Sequence, residues 1–178
     1  RATVAVAERN PDMPADEQAA VGRMLGIGAI KYADLSSDRI KDYVFDWQRM
    51  LSFEGNTAPY LQYAHARICS IFRRAGVERA SVRGVTPTLA EPQEKALALA
   101  LLQFDSAVHD TLDKYSPHRL CTYLFDLAQI FTAFYEACPV LKEGHEATRD
   151  SRLALCDTTA RVIARGLALL GIEVPERM

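Results

Sequence analysis

The segment from Ser116 to Pro139, SPHRLCTYLFDLAQIFTAFYEACP, carries apolar residues at Leu120, Leu124, Leu127, Phe131, Phe134 and Cys138, alternately four and three apart. That alternation tracks 3.6 residues per turn and predicts one long amphipathic helix. Ser116 as N-cap and Pro117 at the first helical position mark its start, and Pro139 marks its end. Similar stripes flank it. From Pro92 to about Tyr115 the apolar positions are Leu97, Leu101, Phe104, Val108 and Leu112, which predict a single helix. From about Glu146 to Leu170 they are Leu153, Cys156, Ala160, Ile163, Leu167 and Leu170, with Gly171 placed to terminate the helix. No segment alternates with period two over a useful length, so the expected fold class is all-α, a helical bundle.

Working toward the N-terminus, Glu54-Gly55-Asn56-Thr57 reads as a turn in which Asn56 or Thr57 caps the next helix, with Pro59 in its first turn. Asp46 is placed to cap a helix beginning at Trp47, after a connection rich in cap formers. The first forty-odd residues read as helix broken once, at Asn10-Pro11 and Met13-Pro14. Gly22, Gly26 and Gly28 weaken the second piece and imply close approach to a neighbour. Gly26-Ile27-Gly28 follows no strand and is not a phosphate loop.

With 178 residues, 49% apolar and 25% charged, and a net charge of −2, the chain has the composition of a folded globular protein with one sizeable core. Charges interrupt every apolar stretch before bilayer length. No leader pattern opens the chain, and its start at Arg1 suggests a piece of something longer. Of the four cysteines, Cys69, Cys121, Cys138 and Cys156, no two are two residues apart, so they read as free thiols packed in a reducing compartment. A di-iron bundle is disfavoured, because none of His65, His109, His118 and His145 follows a glutamate by three. Asp105, Asp110 and Asp113 read as a solvated face.

The helix from about Thr57 to Gly76 has two faces. Leu61, Ala64, Ile68, Phe72 and Ala75 cluster on the core side. Tyr60, Tyr63, Arg67 and Arg74 cluster about 120° away, and Arg73 falls off that face. From Leu61 to Arg83 there are five arginines against one acid, Glu78. Rings and guanidinium planes suit unpaired RNA bases, which stack on both. From pattern alone, the commoner reading is tyrosines bordering a core and arginines solvating the outside. His65 lies off this face and suits a structural hydrogen bond.

Three runs carry a family resemblance: Phe53–Arg67, FEGNTAPYLQYAHAR; Ile27–Leu35, IGAIKYADL; and Leu169–Met178, LLGIEVPERM. They resemble the C-terminal anticodon-binding domain of arginyl-tRNA synthetases, with the segment before it. The resemblance implies a helical bundle at residues 47–178, preceded by a connector from the catalytic core at 1–46. It also implies that Asn56, Tyr60, Tyr63, Arg67 and Arg73 contact the anticodon loop. Tyr135 would lie near the pocket for the central base, and Met178 would close on the loop. Pro139 stands where some members have a Trp in the pocket wall, so that wall would be lined differently. Every arginine anticodon has C in the middle, so one cytosine pocket serves all isoacceptors. The class I signatures His-x-Gly-His and Lys-Met-Ser-Lys-Ser are missing from this sequence. The resemblance therefore implies a tRNA-binding portion of a cytoplasmic ligase, without a catalytic residue or cofactor of its own. ATP and Mg would belong to the catalytic domain of the same polypeptide. The alternative is a free-standing tRNA-binding or protein-interaction module derived from the same domain.

Overall fold

Local chemistry sets the helix boundaries. The computed structural model describes residues 1–141 and 145–178, and among these the regular structure is helical. The helices are α1 (Ala2–Arg9), α2 (Ala15–Leu35), α3 (Trp47–Met50), α4 (Ala58–Ala75), α5 (Pro92–Leu102), α6 (Phe104–Asp113), α7 (Pro117–Ala137) and α8 (Glu146–Leu169), with a 3₁₀ turn at Arg79–Val82. The Thr57 hydroxyl caps α4 by accepting from the Tyr60 N–H at 3.3 Å, and Gly76 closes that helix at φ +64°. Asp46 caps α3 through the N–H groups of Gln48 and Arg49, although that helix lasts only one turn. Gly171 turns the chain out of α8 at φ +70°, and the Ile172 N–H reaches back to the Leu167 carbonyl.

Two expectations need correction. The single helix expected from Pro92 to Tyr115 is two, α5 and α6, which meet at Gln103 (φ −80°, ψ −4°). Leu97 at the head of that stripe is fully buried, whereas Leu112 at its foot is 62% exposed. Ser116 occupies the N-cap position of α7 but makes no capping bond; its hydroxyl donates to the Lys114 carbonyl instead.

The main core is built from α4, α5, α7 and α8. Leu61, Ile68, Leu97, Leu124, Leu127, Phe131, Phe134, Leu153, Ile163 and Leu167 are sealed in it. The contacts fix the helix directions. On α2, the Met24 carbonyl accepts from Gln62 while Tyr32 meets Asn56, so α2 runs against α4. Tyr32 also meets the Cys121 carbonyl at the start of α7, and Arg67 meets Tyr135 near its end, so α4 and α7 run together. A second, smaller core joins Ala2, Val6, Val21 and Leu25 to Met13, Leu51, Phe53 and Met178. The close approach inferred for the glycines holds at Gly22, where a Cβ would lie 2.6 Å from the Thr3 Cα.

Polar tethers fix what surrounds the core. Glu94 Oε2 accepts the N–H groups of Ala90 and Glu91 at 2.8 and 2.9 Å, and Oε1 accepts from Arg152 at 2.8 Å. Arg152 also donates to the Pro139 carbonyl at 2.9 Å, tying the end of α7 to α5 and α8. Burial alone would raise the Glu94 pKa; the backbone donors and Arg152 together pull it below the ordinary carboxylate range. The tail after Gly171 runs along α4. Its carbonyls at Glu173, Pro175 and Glu176 are bonded to Gln62, His65 and Arg73 at 2.7, 3.0 and 3.0 Å.

Candidate nucleic-acid interface

The outward face of α4 owes its shape to what lies on either side of it. Toward α7, Tyr60 is half-buried with its ring 5.6 Å from Phe125. One turn and three residues on, the Arg67 guanidinium lies 4.6 Å over the Tyr135 ring. Tyr135 is itself stacked on Phe131 at 6.1 Å and 29°. Phe131 is buried in the core, so the ring beneath the Arg67 guanidinium is itself backed by the packed interior. Toward α1, Tyr63 is 40% exposed and meets the edge of Phe53 at 6.4 Å. Between these flanks, Tyr63, Arg67 and Arg74 face outward on one helix.

A hollow beside Tyr63 is lined by Val6, Arg9, Asn10, Phe53 and Met178. The Arg9 guanidinium sits 4.1 Å over the Phe53 ring. Sequence reasoning did not select Arg9, Asn10 or Phe53 as site residues. Phe53 opens the run that carries the resemblance, and that was the only signal available for it. Arg9 and Asn10 come from a different helix, and no spacing links them to α4.

Of the residues named from the sequence, Tyr60, Tyr63, Arg67, Tyr135 and Met178 line this face or the hollow beside it. Asn56 does not join them, and Arg73 reaches only the neighbouring hollow, which it shares with Arg9, Asn10 and Met178. Asn56 lies before α4, about 25 Å along the helix from Arg73. The Tyr32 hydroxyl is 2.6 Å from Asn56 Oδ1 and 2.9 Å from the Cys121 carbonyl. A phenol has one proton, so both contacts are satisfied together when the Asn56 amide is turned to donate its N–H to the phenol oxygen. Arg73 turns toward the tail, where it donates to the Glu176 carbonyl, while Arg74 is exposed on the Tyr63 side. Pro139 is exposed, and the Tyr135 ring is flanked by Arg67 and Phe131.

The groups without a place on this face have structural settings. His65 is buried and donates through Nδ1 to the Pro175 carbonyl; burial lowers its pKa despite that bond. The four cysteines are buried free thiols, and burial pushes Cys121 up to about 12. Gly26 and Gly28 lie inside α2, where Gly28 makes room for the Gln62 side chain. Asp105 and Asp110 are exposed on α6 and face His109 and Arg119. Among the described residues, no helix is long and apolar enough to cross a membrane.

This is a helical bundle presenting aromatic rings and guanidinium planes along one helix. Residues 61–178 match the DALR anticodon binding domain family, and the chain belongs to that family. Residues 1–47 match a second family, described as tRNA synthetases class I (R), catalytic domain. The chain is 56% identical over 179 residues to an arginine–tRNA ligase of Cellvibrio japonicus, and 55% identical over 178 residues to that of Thermobifida fusca. Each alignment covers all of this chain and 31% of the relative, so the chain spans about a third of the length of the curated relatives it matches. Among solved structures, the arginyl-tRNA synthetase of Thermus thermophilus superposes with a TM-score of 0.90 at 42% identity, over all of this chain and 30% of that one. The enzyme of Plasmodium falciparum gives 0.87 at 33% identity, over all of this chain and 32% of that one.

Proposed function

We propose that this chain recognises the anticodon loop of an arginine tRNA for an arginine–tRNA ligase, a larger protein that joins arginine to its tRNA using ATP. The observation that carries the reading is the Arg67 guanidinium anchored over Tyr135, with Tyr60 and Tyr63 on the same helix face. A splayed base gains from such planes by stacking, and its Watson–Crick edge remains to be read by polar neighbours. Membership of an anticodon-binding family and similarity to arginine–tRNA ligases support the choice of RNA. In this reading residues 47–178 form the anticodon domain, and residues 1–46 join it to a catalytic domain. ATP and Mg would be held in that catalytic domain, and the enzyme would work in the cytoplasm. Asn56 and Arg73 would act at the margins of the loop, and Met178 would line the hollow beside Tyr63.

The test is a titration with an arginine tRNA anticodon stem-loop and with the same stem-loop altered only at its middle cytosine. The unaltered RNA is expected to bind more tightly. Equal affinity for the two would overturn the reading.

A further inference from the structure

The basic stretch beginning at Arg67 is not exhausted by the stacking face. Arg79 and Arg83 lie beyond α4, in and just after the 3₁₀ turn, and are directed at α8. Three guanidinium groups converge there on one carboxylate. Arg79 Nε is 2.8 Å from Asp157 Oδ1, while Arg83 Nε and Arg161 Nη1 are 3.6 and 3.8 Å from Oδ2. The Asp157 side chain is 2% exposed, and those of Arg83 and Arg161 are 55% exposed.

One buried negative charge cannot neutralise three positive ones. Asp157 Oδ2 is sealed from solvent yet accepts no well-formed hydrogen bond, so Arg83 and Arg161 are held by charge rather than by directed bonds. Their N–H donors remain free to turn outward. Arg79, Arg83 and Arg73 line a hollow at the C-terminal end of α4. Glu78 and Glu176 also border it, but among the described residues neither carboxylate lies within ion-pairing distance of these arginines. Arg73 borders the next hollow as well, with Arg9, Arg177 and Met178; Asp12 and Glu17 share that hollow, and Glu17 lies 4.0 Å from Arg177.

We infer that Arg79, Arg83 and Arg161, organised by Asp157, form a second RNA contact that grips the phosphodiester backbone next to the anticodon loop. Resting on the reading proposed above, this assigns the cluster a task separate from base recognition. Contacts to phosphate fix register and contribute affinity, whereas contacts to bases supply discrimination. A guanidinium fork matches the phosphate oxygens in geometry, and a buried acid at its root restrains it before RNA arrives. Asp157 is a positioning residue here, since it is too deep to meet the RNA itself.

The experiment measures binding of arginine tRNA across a salt series by the protein and by Arg83→Ala and Arg161→Ala. Arg39→Ala serves as the control. Arg39 donates to the Tyr115 carbonyl beside the start of α7, at the opposite end of the bundle from this cluster. Each test substitution is expected to lower the slope of log affinity against log salt by about 0.7 to 0.9, the share of one phosphate contact. Both should weaken binding by the same factor for tRNA with the middle cytosine and for tRNA altered there. Arg83→Lys should keep most of the slope, and Arg39→Ala should leave it unchanged. Unchanged slopes in both alanine variants would overturn the inference, and so would a loss confined to the cytosine-bearing tRNA. A lowered melting temperature accounting for the loss would also overturn it, because the arginines would then act only through the fold. If the unaltered protein failed to distinguish the two tRNAs, the anticodon reading would fall while the slopes still decided the cluster.

Discussion

Replacing Arg67 by alanine separates the two properties of this side chain, its charge and its plane. The guanidinium lies 4.6 Å over Tyr135, and that contact with a half-buried ring is worth about 0.5–1 kcal/mol to the fold. Thermal stability should therefore fall only slightly. The larger loss is expected in RNA binding. A base stacked on a planar side chain gains about 1–3 kcal/mol, and at roughly 1.4 kcal/mol per decade this becomes about a 5- to 150-fold loss of affinity. A stem-loop titration reads it directly. In a whole ligase, kcat/KM for tRNA should drop by a similar factor, with the KM values for arginine and ATP nearly unchanged. Arg67→Lys keeps the charge and removes the plane, so it should recover less than half of the lost binding energy. Normal affinity in Arg67→Ala would refute the stacking argument. Full recovery in Arg67→Lys would refute it too, by showing that charge alone suffices.

Three further outcomes test the scaffold. Gly166→Ala would place a Cβ 2.5 Å from Leu124 Cδ2 and 2.9 Å from Cδ1, in the sealed core, and should destabilise by about 1–3 kcal/mol, read as a lower melting temperature. Glu94→Ala removes the acceptor shared by Arg152 and the Ala90 and Glu91 N–H groups and should cost about 3–5 kcal/mol in denaturant unfolding; Glu94→Gln, which keeps a carbonyl oxygen there, should cost less. His65 adds a pH dependence. Burial puts its folded pKa below the unfolded value of about 6.5, so both states are neutral above that pH and nothing is lost there. Below it, the unfolded chain takes up a proton that the folded chain refuses, and stability declines as pH falls toward the folded value. His65→Gln should therefore lose less stability than the parent between pH 7.5 and 5.5; an identical loss would exclude His65 as the source.

The bundle was legible wherever one helix face decides burial. Leu120, Leu124, Leu127, Phe131, Phe134 and Cys138, chosen by spacing alone, are all at most 2% exposed. The same spacing failed to reveal the break at Gln103, because apolar periodicity records which residues share a face and not whether the backbone stays helical at each of them. Leu101 and Phe104 keep the stripe across a residue that has left the helix. The site divides along the same line. Tyr60, Tyr63 and Arg67 share a helix, so their angular relation could be computed in advance. Arg9, Phe53 and Met178 meet Tyr63 from three separated segments, and the close approach permitted by Gly22 leaves no periodic trace.

The disagreement between Arg73 and Arg74 has a physical resolution in the tail. Periodicity put Arg73 off the tyrosine face, whereas the family resemblance gave it a part in the site. Both are accommodated by a second contact that Arg73 makes on the protein itself. Its guanidinium donates to the Glu176 carbonyl, two residues before Met178, and Met178 lines the hollow beside Tyr63. Gln62 and His65 bond the carbonyls of Glu173 and Pro175 in the same way. These three side chains grip backbone oxygens while Ile172 and Val174 pack against the main core, so polar and apolar contacts together set the path of the tail. One side of α4 thus holds the segment that completes the hollow, while the other presents the rings and guanidinium groups. A substitution at Gln62, His65 or Arg73 would reach Tyr63 through Met178, across a helix whose own backbone need not move.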